Sequence, residues 1–432
     1  MTSMQKYGRD EGPCMENNRI TFSISSVLYL MLSLTLLIDS LNGLFPNFHI
    51  GEIFRITLFS ICSSQLLKYN LKLGMMLISI IIFLLFNISL STLFTHNFNL
   101  VQDIAVAVKS MIIFMVSSTL ILLYKKNKLS FSIGDVLYNN LLYGPFLLML
   151  ASIFGLGATS YAWDNSSVGS KGTFMSLNSI NVALAILFMY TIYNIIYSKD
   201  KLKWSLLSVY VGIPMVFLGT KTSLLIIIVA PVMFVLLSRN RKYLVKGLIG
   251  LLVLVGVGLL FQSRIVDSIE PIIMRQLYLM EQRDLSTYLF STRNTRVMNI
   301  IELYLSQFSV YDLFPGKGYS ISHYLYGMND GSLVLPIEMD FIDIIVSYGF
   351  IGILYTYIYV INILYRCKSQ WDKDGQFFFW SALIVFAYGS LAGHVFLEAI
   401  SSTFFSLLLA GLYICNLLYS ECRNTSNRNI NI

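Results

Sequence analysis

The segment PIEMDFIDIIVSYGFIGILY, residues 336–355, decides how this chain is organised. It joins three carboxylates, Glu338, Asp340 and Asp343, directly to an apolar block that extends to about residue 365. A block of this length can cross a membrane, which takes about 20 mostly apolar residues. The residues before it, 264–337, form the one long polar and charged stretch in a chain made of apolar blocks. We therefore interpret 338–365 as a transmembrane span and 264–337 as a large loop beside the membrane.

The composition of the whole chain agrees with this interpretation. Of the 432 residues, 56% are hydrophobic and 12% are charged, and the mean hydropathy is +0.69. Soluble domains carry about 25% charged residues. We predict an all-α polytopic membrane protein with about 12 transmembrane helices. The candidate spans are approximately 20–44, 52–67, 72–94, 101–124, 136–158, 178–198, 203–219, 221–238, 242–263, 338–365, 376–396 and 399–420.

Lysine and arginine occur in every second loop, and this alternation predicts the orientation. Because positively charged short loops remain in the cytoplasm, we predict that both termini are cytoplasmic and that the large loop is outside. The chain then divides into nine spans within 1–263, the large loop 264–337, and three spans with a cytoplasmic tail within 338–432. The basic loops contain Lys68, Lys72, Lys125, Lys126, Lys128, Lys199, Lys201, Lys203, Arg239, Arg241, Lys242, Arg366, Lys368 and Lys373.

Several other classes of protein find no support in the sequence. The net charge of +7 follows from the basic cytoplasmic loops, so we do not expect nucleic-acid binding. None of the five cysteines lies in the large loop, and no CxxC or HExxH pattern is present. Nucleotide-binding glycine loops are also absent from the sequence. We predict neither a metal site nor a cofactor.

Basic residues predicted to lie on the outer side are candidates for binding an anion. Lys221 begins a helix, where a full charge and free backbone N–H groups favour a phosphate. The alternative is a lysine that marks the membrane boundary. Arg293 and Arg296 are three residues apart, share a helix face and can together hold a pyrophosphate. Their alternative role is an ordinary salt bridge within the loop.

Acidic residues and one histidine are candidates for proton transfer. Glu338 or Asp340 could act as a general base at the entrance of its span, or simply cap the helix. His394, at the end of the eleventh span, is the reserve candidate. The Pro-Gly turn places Lys317 where it could approach a phosphate. The second outer loop, 159–177, contains Lys171 and aromatic side chains that can stack on sugars or lie at the membrane interface.

Taken in order, these features resemble the O-antigen polymerase and ligase superfamily of membrane glycosyltransferases. The resemblance covers roughly 170–410. It rests on Gly-Thr-Phe with a following asparagine (172–181), Lys-Thr-Ser (221–223), Ser-Thr-Arg (291–293), Pro-Gly-Lys-Gly (315–318) and a Gly-x-x-Gly pair (349–352). It implies a fold like that of the GT-C glycosyltransferases, with a large periplasmic loop and a location in the bacterial inner membrane. It also implies metal-independent catalysis on glycans carried by undecaprenyl diphosphate.

Within this superfamily the polymerase branch fits best. A polymerase would transfer a growing glycan from undecaprenyl diphosphate onto a new lipid-linked repeat unit, with a chain-length co-polymerase as a possible partner. The resemblance assigns Lys221, Arg293 and Arg296 to the diphosphate. Glu338 or Asp340 would be the base, with His394 in reserve. The substrate-binding candidates are Lys171, Asn181 and Lys317.

Two alternatives remain open at this level. An O-antigen ligase would transfer the glycan to lipid A–core, but ligases carry a histidine just before the helix with the Gly-x-x-Gly pair. This chain has Glu338-Met339-Asp340 there, so His323 or His394 would have to substitute in space. A flippase for the same lipid predicts charged residues along a path inside the spans, where the sequence offers Lys109 and Asp39.

Overall fold

The computed structural model describes residues 23–94, 100–163, 166–237, 262–284, 287–288, 293–307, 309–320, 337–368 and 373–430. Within these residues nine helices are long and apolar enough to cross a membrane, or ten when one bent pair is counted as a span. The structure therefore agrees with an α-helical, multi-pass membrane protein. Each predicted span corresponds to a helix or helix pair except 242–263, most of which lies outside the described residues.

The helices and strands have the following bounds. The first half of the described chain contains α1 (Ile24–Ser33), α2 (Thr35–Leu44), α3 (Ile50–Tyr69), α4 (Leu71–Phe94), α5 (Leu100–Lys125), α6 (Ile133–Ile153), β1 (Ala158–Trp163) and β2 (Ser166–Gly172). The second half contains α7 (Leu177–Tyr197), α8 (Lys201–Leu218), α9 (Lys221–Leu237), α10 (Gln262–Gln282), α11 (Arg293–Gln307), α12 (Asp340–Ile353), α13 (Tyr359–Cys367), α14 (Lys373–Ala392) and α15 (Ala399–Ile430). A π-helical turn, Leu354–Ile358, joins α12 to α13.

Helices α5, α7 and α15 form the centre of the bundle and are its most deeply buried spans. In α15 the buried polar residues are small, and their hydroxyls donate to backbone carbonyls of the same chain. Thr403 Oγ1 donates to Ala399 O and Ser406 Oγ to Ser402 O. Small side chains with satisfied hydroxyls allow neighbouring helices to approach closely in a membrane. The long apolar chains of α5 and α7 then pack against this helix.

The loop between α6 and α7 contains a short β-hairpin within the predominantly α-helical chain. Strands β1 and β2 pair antiparallel as a hairpin that packs on α6 and α8. Helix α6 ends at Ile153, earlier than the predicted 158, because Gly155 and Gly157 both take positive φ angles. After β2, Thr173 Oγ1 lies 2.6 Å from Ser40 Oγ of α2, which fixes the hairpin to the bundle.

The first glycine of the Gly-x-x-Gly pair breaks helix α12. Gly349 has φ 63° and ψ −161°, a conformation almost restricted to glycine. The Pro-Gly-Lys-Gly turn docks at this break, where Lys317 N donates to Val346 O and Gly318 N to Ser347 O, at 3.3 and 2.8 Å. Gly349 therefore provides the helix break at which this turn docks.

Substituting Gly349 by alanine is expected to destabilise the protein strongly. A Cβ atom at Gly349 would lie 2.3 Å from Phe314 O, so both the backbone conformation and the docked turn resist the change. We expect a loss of about 3 kcal/mol, seen as a lower melting temperature of the detergent-solubilised protein. Gly212→Ala is the control, because the nearest atom to its new Cβ would be 3.8 Å away. Equal melting temperatures for the two variants would contradict the assignment.

Candidate functional site

A group of cations gathers where α9 begins. Lys221 Nζ donates to Tyr288 O at 2.5 Å and lies 3.7 Å from the centre of the Tyr288 ring. Arg275, Arg283 and Arg293 are close enough to act electrostatically on Lys221. These four positive charges repel one another, and a bound anion would relieve the repulsion. The arrangement suits a ligand with several negative oxygens.

Arg293 is the most constrained member of this cation group. Its Nη2 lies 2.5 Å from Glu338 Oε2, and its Nε is buried without a protein partner among the described residues. A guanidinium held by one carboxylate keeps other N–H donors for a second anion, since it has five. Glu338 itself takes φ 63°, which is uncommon for a residue with a side chain. The backbone at Glu338 is therefore strained at the residue that orients Arg293.

Local structure explains why Lys221 is placed at this point. Gly219 ends α8 with φ 66°, and the chain reverses into α9. Thr220 Oγ1 accepts from Ser223 N at 3.1 Å and thereby caps the new helix. Ser223 Oγ in turn donates to Asn181 Oδ1 of α7 at 2.5 Å. Asn181, predicted to bind substrate, thus anchors the start of α9, and Lys221 is presented as its first residue.

A buried carboxylate–histidine pair lies where α12 begins and α14 ends. His394 Nδ1 is 3.3 Å from Asp340 Oδ1 and 3.9 Å from Asp343 Oδ2. Asp340 Oδ2 accepts from Val395 N and Phe396 N at 2.5 and 2.9 Å. Asp340 is fully buried and its oxygens are occupied. It can orient His394 but is poorly placed to reach a substrate, so Asp340 acts best as a positioning residue.

The second ring nitrogen of His394 has no partner in this arrangement of the described residues, which distinguishes it from Nδ1. His394 Nε2 is buried and has no partner among the described residues. If Nδ1 donates its proton to Asp340, Nε2 carries a lone pair directed away from the carboxylate, as a general base requires. Burial lowers the pKa of His394, but the hydrogen bond with Asp340 and the charge of Asp343 outweigh it and raise the pKa to about 9.

The irregular segment after α14 is built to hold this pair. Its backbone N–H groups point to Asp340, and its carbonyls accept from α15: Ser402 Oγ donates to Val395 O at 2.6 Å. Gly389 makes room for the carboxylate, because a Cβ there would lie 2.9 Å from Asp340 Oδ2. Backbone N–H and C=O groups of this segment therefore have hydrogen-bond partners although the segment is not helical.

The cation group and the histidine pair are parts of one site. Glu338 and Asp340 are two residues apart, so their Cα atoms are separated by about 7 Å at most. Tyr388 of α14 connects the two parts a second time. Its hydroxyl interacts with Thr222 and Asn181 beside Lys221. Its ring lies against Gly393, the residue before His394.

The remaining predicted site residues have other immediate partners. Lys171 Nζ donates to Met175 O at 2.9 Å. Lys317 is buried in the docked turn and pairs with Asp312 at 2.7 Å. Arg296 follows Arg293 one turn later on α11 and is half-buried. Their predicted roles in substrate binding stay predictions, and for Lys317 the existing ion pair would have to be broken.

A second set of charges includes Glu398, which is close enough to act electrostatically on His394. Lys109 Nζ is 3.8 Å from Glu398 Oε2, and Arg55 Nη2 is 3.3 Å from Asp39 Oδ1. Lys109 and Asp39 were the charged residues that the sequence placed inside spans, and the structure gives each an oppositely charged partner. These pairs are the usual condition for retaining charges within a membrane protein.

Sequence reasoning missed several residues of the site. Tyr388 lies in the middle of an apolar block and carries no signal of its own. Arg275 carries no motif that sets it apart from the other charges of the large loop, yet its guanidinium stacks on Tyr161 at 3.8 Å. The only signal in the sequence was Tyr161 itself, an aromatic residue in the Gly/Ser-rich outer loop, since an aromatic ring can bind a cation.

Comparison with known proteins adds no further constraint on this site. No family model, no curated protein and no solved structure matches the chain. The class of protein that the fold defines is therefore a multi-pass α-helical membrane protein. Its function has to be inferred from the chemistry of the site.

Proposed function

We propose that this protein is an O-antigen polymerase, a membrane glycosyltransferase that extends a glycan carried by undecaprenyl diphosphate. The observation that carries the proposal is the convergence, in one site, of the cation group around Lys221 and Arg293 with the Asp340–His394 pair. Transfer from a lipid diphosphate needs both parts, because the leaving group is an anion and the acceptor must lose a proton. The order of the sequence motifs supports the same class.

In the proposed reaction the cations bind the donor diphosphate. Lys221 and Arg293 contact its oxygens, and Arg275 and Arg296 add positive charge around it. Fixed charges directed at the leaving group stabilise the negative charge that develops as the glycosidic C1–O bond breaks. The electron pair of that bond leaves with undecaprenyl diphosphate. No protein-bound metal is required for this stabilisation when several cations are already in place.

The acceptor hydroxyl supplies the other half of the reaction. Its oxygen forms the new bond to C1 of the donor sugar, and its proton passes to His394 Nε2. Asp340 holds the imidazole in the productive tautomer and stabilises the imidazolium that results. Glu338 fixes Arg293 instead of acting on the hydroxyl. This division differs from the sequence-based choice of Glu338 or Asp340 as the base, and it follows from their contacts.

The membrane context of the proposal follows from the loop charges. With basic loops in the cytoplasm, both termini are cytoplasmic and the loop 264–337 is periplasmic in a bacterial inner membrane. The donor and acceptor lipids reach the site from the bilayer, and a chain-length co-polymerase is a possible partner. A reporter fused at about residue 300 that behaves as a cytoplasmic one would overturn this topology.

The ligase is a second candidate, and one observation favours it. His394 contacts Asp340 at the start of the helix with the Gly-x-x-Gly pair. A histidine thus lies in space where the ligase branch carries one in sequence. The flippase is less well supported, because the intramembrane charges form local pairs near the same ends of their helices as the site. A transport path would place charges along the length of the spans.

The test is the lipopolysaccharide of a strain that lacks this chain. Single repeat units on lipid A–core support the polymerase, undecorated core supports the ligase, and an unchanged ladder overturns both. Plasmid-borne Lys221→Ala is expected not to restore the ladder at normal protein level. Lys203→Ala, which removes a lysine from the start of α8, is the matched control and is expected to restore it.

A further inference from the structure

A cavity of about 420 Å³ opens at the other end of the bundle, away from the proposed glycosyltransferase site. It lies at the C-terminal ends of α3 and α5. Arg55 and Lys109 lie in the N-terminal halves of the same two helices. Its volume falls within the range of small-molecule sites, about 300–1,000 Å³. The polar residues that matter for its chemistry are Ser25, Gln65, Tyr69, Lys128 and Ser130.

Lys128 supplies a fixed positive charge at the wall of this cavity. Asn127, two residues after the end of α5, takes a left-handed conformation with φ 53°, and Lys128 N donates back to Leu123 O at 2.8 Å. Lys128 Nζ donates to Tyr69 Oη at 2.8 Å. An ammonium group has three N–H donors, so this contact leaves others for a ligand. This contact holds the exposed ammonium group at the rim of the cavity.

Gln65 lines the same cavity and carries a buried acceptor. Only 3% of its surface is exposed, and its Nε2 donates to Ser64 Oγ at 3.1 Å. Its Oε1 is buried and has no partner among the described residues. A buried carbonyl oxygen without a donor costs about 1–3 kcal/mol, so a ligand hydroxyl at this place would be stabilising.

A bound ligand should therefore present an anion to Lys128 and a hydroxyl to Gln65. A phosphorylated polyol combines both groups. Lys68, Lys125 and Lys126 at the same end of the bundle attract anions to this surface. Exposed apolar side chains adjoin the cavity, including Ile24 in its wall and Leu71 just after α3, and they can pack against acyl chains.

From these features we propose that the cavity binds the phosphoglycerol headgroup of an anionic membrane lipid. The phosphate contacts the Lys128 ammonium, and a glycerol hydroxyl donates to Gln65 Oε1. The acyl chains lie along the exposed faces of α1 and α3. This site is independent of the proposed transferase activity, so either proposal can fail without the other.

The test uses the full-length protein in nanodiscs or detergent micelles, with binding followed by native mass spectrometry and melting temperature. Phosphatidylglycerol is expected to bind and to raise the melting temperature relative to phosphatidylcholine. Lys128→Ala is expected to weaken this binding by about tenfold or more. Lys126→Ala, which removes a charge two residues earlier outside the cavity lining, is the matched control and is expected to have little effect.

A second variant separates the hydroxyl contact from the phosphate contact. Gln65→Met removes the acceptor and is expected to weaken the binding of phosphatidylglycerol. The binding of phosphatidic acid, which lacks the headgroup glycerol hydroxyls, is expected to be unchanged. If Lys126→Ala and Lys128→Ala weakened the binding of phosphatidylglycerol equally, the binding would reflect general charge attraction, and the proposal would be overturned. Soluble glycerol 3-phosphate that binds as tightly as the lipid would overturn the assignment to a membrane lipid.

Discussion

Replacing His394 by glutamine is expected to lower the rate of glycan transfer by about 10²–10⁴-fold, the usual contribution of a positioned general base. Glutamine keeps an N–H group that can donate to Asp340 but offers no basic nitrogen where Nε2 lies. The measurement is the release of undecaprenyl diphosphate in single turnovers of purified protein with a lipid-linked repeat unit. Donor binding is expected to be unchanged, because the cation group around Lys221 is untouched.

The buried position of His394 calls for a control on folding. The melting temperature of His394→Gln should remain close to that of the unsubstituted protein. Transfer at the original rate would remove His394 from the chemistry. Loss of donor binding together with loss of rate would show that the substitution disturbs the whole site, and the base would then have to be sought elsewhere.

The pH dependence provides a second, independent readout of the same pair. Because Asp340 and Asp343 raise the pKa of His394 to about 9, the neutral base is the minority form at neutral pH. The rate should climb about tenfold per pH unit below that value. Asp340→Asn removes one of these charges and so lowers the pKa of His394. The ascending limb of the pH–rate profile is therefore expected to move to lower pH. A carboxylate that only supports the fold would change the rate without moving the limb.

The sequence predicted the helices well and the connections poorly, for a physical reason. A span is recognised from its own composition, because nearly every residue in it lies at membrane depth, against lipid or against other apolar spans. The break at Gly349 depends instead on a turn that arrives from Pro315, and the bend between α1 and α2 after Ser33 has no glycine or proline at that point. Neither is visible in local composition.

The candidate site shows the same limit. Lys221, Arg293, Glu338 and His394 could be chosen as candidates because charged and titratable residues are rare in such a chain and stand out wherever they occur. Their roles were harder to assign, since a role depends on the partner. The contact of Asp340 with His394 joins residues more than fifty positions apart, and it is the reason for proposing His394 as the base and Asp340 as the residue that orients it.

Arg293→Ala is expected to abolish chain extension while protein level holds. The substitution removes a guanidinium that is mostly buried and leaves Glu338 without its counter-charge. Loss of one member of a buried, hydrogen-bonded charge pair costs about 2–5 kcal/mol, or about 30- to 5,000-fold in affinity or rate. The measurement is the apparent affinity for the lipid-linked donor, read together with the lipopolysaccharide ladder. Arg366→Ala, on α13 near the basic end of the bundle, is the control and is expected to behave as the unsubstituted protein.

The two members of the Arg293–Glu338 pair should respond differently, and this difference tests the proposed roles. Glu338→Gln keeps a hydrogen-bond acceptor beside Arg293 but removes the competing negative charge. We therefore expect donor affinity to be maintained or to increase, with transfer retained. If Glu338 were the base, Glu338→Gln would lose transfer as completely as His394→Gln. If Arg293 only anchored the strained backbone at Glu338, Arg293→Ala and Glu338→Gln would lower the melting temperature alike and leave donor affinity unchanged. Loss of donor affinity in the arginine variant alone is the result that assigns Arg293 to the diphosphate.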